Sequence, residues 1–249
     1  MADLDASLVL RLAGPLQSWG GASQFNRRET LPEPTKSGVV GLLAAAQGRR
    51  RTDPIEDLVR LQLGVRTDRP GSLLRDYHTV SDYRGRPLLS ASVNARGEQQ
   101  PAGKKFTHVT QRYYLQDAVF VVAVGGPVEL LETLHDAVRR PAFPLALGRR
   151  ACVPTQPLVL PSSTGPLWTG NPLRVLEQVT WQAGPGERSV SLPVTVDDLD
   201  GDDVATDLPG SFDPLDRTFG TRTVRHTWIR LGSPETAVDD HDPFALLGW

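Results

Sequence analysis

Val119-Phe120-Val121-Val122-Ala123-Val124 is an unbroken apolar run stopped by Gly125-Gly126-Pro127. A run of that length between turn residues reads as a core strand. Pro127 suits a helix start, and Val128, Leu131, Leu134 and Val138 then recur at helical spacing up to Arg139-Arg140 and Pro141. Upstream, Ser7 to Ala13 alternates as a first strand, with Arg11 on its less apolar face, toward a polyanion or toward water. Val39 to Gln47 reads as a small-residue helix, Ile55 to Leu61 as a short one, and Leu61 to Arg66 as a strand. Asp82 to Lys105 is polar and Gly-rich, so it reads as a long hairpin arm with a mobile tip, with Thr107 to Leu115 as the returning strand.

This order predicts an α+β fold: a ferredoxin-like or RRM-type domain over 1–150, with helices on one sheet face and the other face free. The hairpin arm spans about 80–115. Residues 151–249 are rich in Pro, Asp and Gly, and read as a small, irregular, mostly β C-terminal region. Its β-like runs are Leu173–Trp181, Val190–Val196 and Val224–Leu231, with an acidic loop from Asp197 to Asp207.

A chain of 249 residues, 39% hydrophobic, can bury a real core. It has no run of eighteen apolar residues and no secretory pattern at its N-terminus. The single cysteine, Cys152, excludes an internal disulfide and a cysteine-based zinc cluster. These features fit a cytoplasmic protein. The histidines (His78, His108, His135, His226, His241) lack ligand spacing. The Asp197–Asp203 run lacks a calcium loop's closing glutamate, since the twelfth position is Leu208, so no metal or cofactor is expected.

The net charge of −2 hides a polarity. Residues 1–150 hold 21 Lys+Arg against 15 Asp+Glu, and residues 151–249 hold 6 against 14. The basic half suits a polyanion, and the acidic half a face turned away from it or toward a basic partner; both also suit plain solvated surface. Within the first fifty residues a strand runs into a loop bearing Trp19, Arg27 and Arg28, followed by Pro34-Thr35-Lys36-Ser37-Gly38 at a helix start. Free N–H groups and a partial positive charge make such a terminus a plausible anion site. Trp19 either stacks on a base or lids the core. Thr35 and Ser37 cap the helix or touch a phosphate, whereas Lys36 is not needed for capping. The segment lacks the glycine spacing of a P-loop.

Several stretches resemble one family in order along the chain. They are Leu12-Ala13-Gly14-Pro15-Leu16-Gln17-Ser18-Trp19-Gly20, Pro34-Thr35-Lys36-Ser37-Gly38-Val39-Val40-Gly41-Leu42-Leu43 and Leu74-Arg75-Asp76-Tyr77-His78-Thr79-Val80. Tyr113-Tyr114-Leu115, Asp117-Ala118 and Leu147-Gly148-Arg149-Arg150-Ala151-Cys152 complete the set. Together they are similar to the Cas-five-type subunits of type I-E CRISPR Cascade complexes. The resemblance runs from residue 8 to about 158, and no family motif stands beyond residue 160.

It implies a non-catalytic, repeat-associated RNA-binding subunit that clamps the 5′ handle of the CRISPR RNA. The implied partners are the repeated backbone subunit, the large subunit and, through the complex, target DNA. The candidate RNA-binding residues are Ser18, Trp19, Arg27, Arg28, Lys36, Ser37, Arg75, Tyr77, His78, Arg112, Arg149 and Arg150. The alternative is a metal-independent repeat endoribonuclease. That chemistry needs a base for the 2′-OH, an acid for the 5′-oxygen and a cation for the phosphorane. Tyr77 or His78, with Lys104, Lys105 or His108, would have to supply them.

Overall fold

The structure is a computed structural model that describes residues 6–21, 26–81, 107–184 and 190–232. The segment Asp82 to Lys105 of the expected arm lies outside the described residues.

The main sheet is built around the apolar run. Strand β7 (Val119–Gly125) is buried at every position and pairs antiparallel with β1 (Ala6–Ala13) on one side and β4 (Gln62–Arg69) on the other. Alternation sends Phe120, Val122 and Val124 to one face, where α1 (Lys36–Ala46) and α3 (Val128–Arg139) pack with the short α2 (Glu56–Val59). Val121 and Ala123 point to the other face, where Val175 and Leu176 of α4 (Pro172–Gln178) cover them.

Both faces of this sheet are therefore covered at its central strands, which corrects the expectation of a free face. Arg11 is part of that cover: its guanidinium donates to Gln182 Oε1 and the Pro157 carbonyl. The cause is α4, where a β-like run was expected over Leu173–Trp181. Asn171 caps this helix by accepting from the Arg174 N–H, and Pro172 sits at its first turn, where no N–H is needed. The helix ends on Arg66, which is fully buried; its guanidinium donates to the Leu176, Val179 and Thr180 carbonyls and pairs with Asp68. A cation at carbonyls left free by a helix end is favourably placed.

The elements β1–α1–β4, then β7–α3, run in the expected strand–helix order, with α2 and the strands of a second sheet interspersed. A regular fourth strand does not form. Residues 158–160 reach β1 through one bridge, Leu10 with Val159, and two main-chain hydrogen bonds, before the two-residue β8 (Trp168–Thr169) pairs with Ala6 and Ser7. The sheet instead grows on its other edge. Strand β9 (Val190–Asp197) pairs with β4, and β11 (Thr218–Leu231) and β10 (Asp203–Ser211) follow. Main-chain hydrogen bonds thus cross the expected boundary near residue 150.

A second sheet holds β2 (Leu16–Gln17), β3 (Arg27–Arg28), β5 (Ser72–Ser81) and β6 (Thr107–Gln116). Strands β5 and β6 pair antiparallel over ten positions, from Ser72 with Gln116 to Ser81 with Thr107.

The C-terminal strands are also tied to α1 by charge. Asp207 Oδ2 accepts the Lys36 main-chain N–H at 2.6 Å, and Lys36 Nζ meets Asp197 at 2.7 Å. Arg222 bridges both carboxylates, reaching Asp207 at 2.6 Å and Asp197 through Nη1. The acidic stretch from Asp197 to Asp207 is thus not a solvated loop throughout, since both end residues are engaged inside the molecule. Two cations and two anions cancel, so the cluster tolerates burial. Removing one partner would strand a charge, which costs about 3–5 kcal/mol in buried pairs. Asp207→Ala is expected to lower the unfolding free energy from urea titration by an amount in that range, whereas Asp198→Ala, at a partly exposed pair with Arg225, should change it little.

Candidate nucleic-acid interface

Trp19 is completely buried, so of its two readings it takes the core one and is not presented for base stacking. Its ring lies on Gly38 of α1, where an added Cβ would come within 2.8 Å of the indole. Trp19 Nε1 donates to Gln17 Oε1, and the Gln17 amide bonds the Leu12 and Ala118 carbonyls. The main chain of Trp19 is held by Thr30 Oγ1 and by the Leu31 N–H. Gly148 closes the other side with φ +86°; a Cβ there would overlap the Ser18 carbonyl. Only glycine combines that conformation with that approach. The three motifs containing Trp19, Gly38 and Gly148 therefore meet at one indole ring.

The neighbouring candidates follow Trp19 inward. Ser18 is 2% exposed, and its Oγ donates to the Tyr113 carbonyl. Lys36 is 6% exposed and spent on Asp197, so it is not free for a phosphate. Thr35 is the cap of α1, accepting from the Gly38 N–H, and Ser37 Oγ bonds Thr35 Oγ1. The helix N-terminus expected to take an external anion already holds the chain's own, Asp207.

The remaining candidates gather on the second sheet. The β5–β6 register puts Arg75 opposite Tyr113 and Tyr77 opposite Gln111, and β3 puts Arg27 beside Gln111. Directly paired residues share a face. One face therefore carries Arg27, Arg75, Tyr77 and Tyr113. The Arg27 guanidinium lies 5.3 Å from the Tyr113 ring centroid, within cation–π range. Arg27, Arg75 and Tyr77 are exposed, Tyr77 at 66%. Glu29 pairs with Arg27 at 2.7 Å, in an exposed contact that solvent weakens. Exposed aromatic rings among arginines can stack on bases while holding phosphates.

The opposite face holds Asp76, His78, Thr110, Arg112 and Tyr114. Arg112 Nε reaches Thr110 Oγ1 at 3.4 Å, and Arg28 is its partner in the β3–β6 register. His78 Nδ1 stands 3.8 Å from Asp76. Tyr77 and His78, the two alternative nuclease groups, point to opposite sides of β5 by strand alternation. Lys104 and Lys105 lie outside the described residues.

Arg149 is engaged within the molecule. The free edge of β6 is covered at Leu115–Gln116 by β2 and at Gln111–Arg112 by β3, leaving the Tyr113 carbonyl between them. Ser18 Oγ and Arg149 Nη1 fill that gap, at 3.1 and 3.2 Å. Arg149 Nη2 also holds the Arg28 carbonyl at 2.8 Å and the Glu29 carbonyl at 3.3 Å, and the guanidinium stacks over Tyr114 at 4.9 Å. All three acceptors are main-chain carbonyls, so they do not neutralise its charge. Arg150, next to it, is exposed.

Two features of this region were not singled out as site residues from the sequence. Tyr113 and Tyr114 are platforms for Arg27 and Arg149, and their adjacency to Arg112 was the available signal. Cys152 is buried, which pushes its thiol up and away from nucleophilic use. Among the described residues, no group of three or more His, Cys, Asp or Glu is arranged to hold a metal.

Gly148→Ala should force the 147–149 turn off Ser18 and lower the thermal midpoint by several degrees, a typical cost for strain at a glycine-only conformation. Arg149→Lys keeps the charge but loses the fork that spans β3 and β6. It should raise amide exchange at Arg28 and Glu29 while leaving exchange in β7 unchanged.

The family model described as CRISPR-associated protein (Cas_Cas5) matches residues 7–225. The Escherichia coli (strain K12) protein described as CRISPR system Cascade subunit CasD is 36% identical over 167 residues, covering 61% of this chain and 69% of that protein. A chain in a solved structure of a CRISPR RNA-guided surveillance complex superposes with a TM-score of 0.72 at 38% identity, covering 90% of each chain. A second solved structure, described as the crystal structure of a Cas protein, gives a TM-score of 0.66 at 37% identity and covers 90% of this chain and 94% of that one. On the extent of the family match and these identities, the chain belongs to the Cas_Cas5 family of CRISPR-associated proteins.

Proposed function

We propose that this chain is a non-catalytic RNA-binding subunit of a CRISPR surveillance complex of the Cascade kind, clamping the 5′ handle of the CRISPR RNA. The observation that carries the reading is the β5–β6–β3 face, where the exposed Arg27, Arg75 and Tyr77 stand together with the half-buried Tyr113. Single-stranded RNA is held by stacking on aromatic rings and by arginine contacts to phosphate, and this face offers both. The relative named as a Cascade subunit and the structure named as an RNA-guided surveillance complex supply the assembly context.

Neighbouring subunits, the repeated backbone and large subunits, complete the grip, and target DNA is met through the complex. The setting is the cytoplasm; among the described residues no helix is long and apolar enough to cross a membrane.

The two kinds of contact separate by salt. Tyr77→Ala should weaken binding of a labelled handle RNA by about 5- to 150-fold, the cost of one lost stack, with the salt slope unchanged. Arg75→Ala should lower the slope of log K against log salt by about 0.7, the loss of one phosphate contact. Equal affinities and slopes for both variants and the native chain would reject this face as the RNA site.

A further inference from the structure

Away from the second sheet, four side chains form one line of hydrogen bonds between the segment entering α1 and the C-terminal strands. Thr195 Oγ1 lies 3.0 Å from Glu33 Oε2 and 3.0 Å from His226 Nδ1. His226 Nε2 lies 3.2 Å from Asp203 Oδ2. Thr195 is buried and Glu33 half-buried, while His226 and Asp203 reach solvent.

A hydroxyl has one proton to donate. With Glu33 ionised, Thr195 donates to Glu33 and accepts from His226 Nδ1–H. Nε2–H then donates to Asp203, so the ring is imidazolium. With Glu33 protonated, its O–H donates to Thr195, Thr195 donates to Nδ1, and the ring is neutral with its proton on Nε2. Both arrangements satisfy every group, and both hold one dissociable proton. Taking that proton away leaves the Glu33 carboxylate and the Nδ1 lone pair competing for one hydroxyl, or turns the Nε2 lone pair against Asp203.

We propose that Glu33 and His226 share a single proton across the Thr195 hydroxyl, making a pH-sensitive latch between the segment entering α1 and the C-terminal sheet. The latch is separate from the RNA face, and its test needs no RNA. The other charges around it are largely committed. Arg222 and Asp207 face Glu33 but bond each other, with Asp197 and Lys36 behind them. On the His226 side, the neighbouring Arg225 pairs with Asp198 at 2.8 Å. The buried end of the line therefore sets the direction of the hydrogen bonds, since the Asp203 end is screened by water.

Burial holds the Glu33 carboxyl above its ordinary range, ahead of the lowering effects of Thr195, His226 and Arg222. A carboxyl raised in the folded state stabilises the fold fully at pH below its unfolded value. That contribution is lost as pH rises through the raised folded value. The latch should loosen in that direction.

The test is imidazole NMR on the full chain with isotope-labelled histidine, titrated for the native protein, Glu33→Gln and Thr195→Val. Removing the Glu33 charge should lower the His226 imidazolium midpoint by about one pH unit, tenfold in proton affinity. In the Thr195→Val background, Glu33→Gln should no longer shift it. A shift smaller than about 0.3 unit in Glu33→Gln, or the same full shift without Thr195, overturns the shared proton. Chemical unfolding across the same pH series gives a second reading. Glu33→Gln should keep the stability that the native chain loses as pH rises, and parallel curves would equally overturn the latch.

Discussion

A single buried indole organises the parts of this chain on which the proposed RNA grip depends. Trp19 fits only because Gly38 leaves room beneath its ring and Gly148 lets a turn close against the Ser18 carbonyl. The packing is tight enough that one added carbon on Gly38 would press into the ring and one on Gly148 would overlap the Ser18 carbonyl, as expected in interiors packed to crystal density. Through Thr30 and Leu31 the same residue fixes the stretch that follows β3, and through Gln17 it anchors the β1–β2 corner to the start of β7. The second sheet is thereby held in register against the first. Arg149, carried on the turn made by Gly148, fills the one gap in the β6 edge.

Charge then decides which cations remain for a ligand. The N-terminus of α1 is an anion site by its physics, and the chain fills it with Asp207. Lys36 and Arg222 are neutralised in the same cluster, and Arg66 is consumed at the end of α4. Among the described residues, arginines facing outward beside aromatic rings include Arg27 over Tyr113 and Arg75 next to Tyr77 on β3 and β5, and Arg217 over Phe219 at the start of β11. The acidic C-terminal residues thus act partly inside the molecule, joining the two charge-opposed halves through α1.

The parts legible in the sequence were those governed by local pattern. The run at Val119–Val124, the spacing of Val128, Leu131, Leu134 and Val138, and the ordered motifs from Leu12 to Cys152 each state their role in a short window. What escaped depends on distant partners. Trp19 reads the same whether it faces solvent or Gly38, and only the third dimension brings Gly148 to it. The run from Leu173 to Trp181 suits a strand by composition, yet the Asn171 cap and buried Arg66 favour a helix. Arg149 matches a phosphate-gripping pattern, but its acceptors are carbonyls more than thirty and more than one hundred residues away. The covered second face of the main sheet was invisible for the same reason, since α4 is supplied from beyond the last recognisable motif.

The central claim is that the β5–β6–β3 face holds single-stranded RNA without cutting it. It is tested most directly by ultraviolet crosslinking of the chain to end-labelled repeat-derived RNA in EDTA, with peptide mapping of the adducts. The account predicts intact RNA and adducts at Tyr77 and Tyr113. Site-specific cleavage, or adducts confined to other parts of the chain, would contradict it.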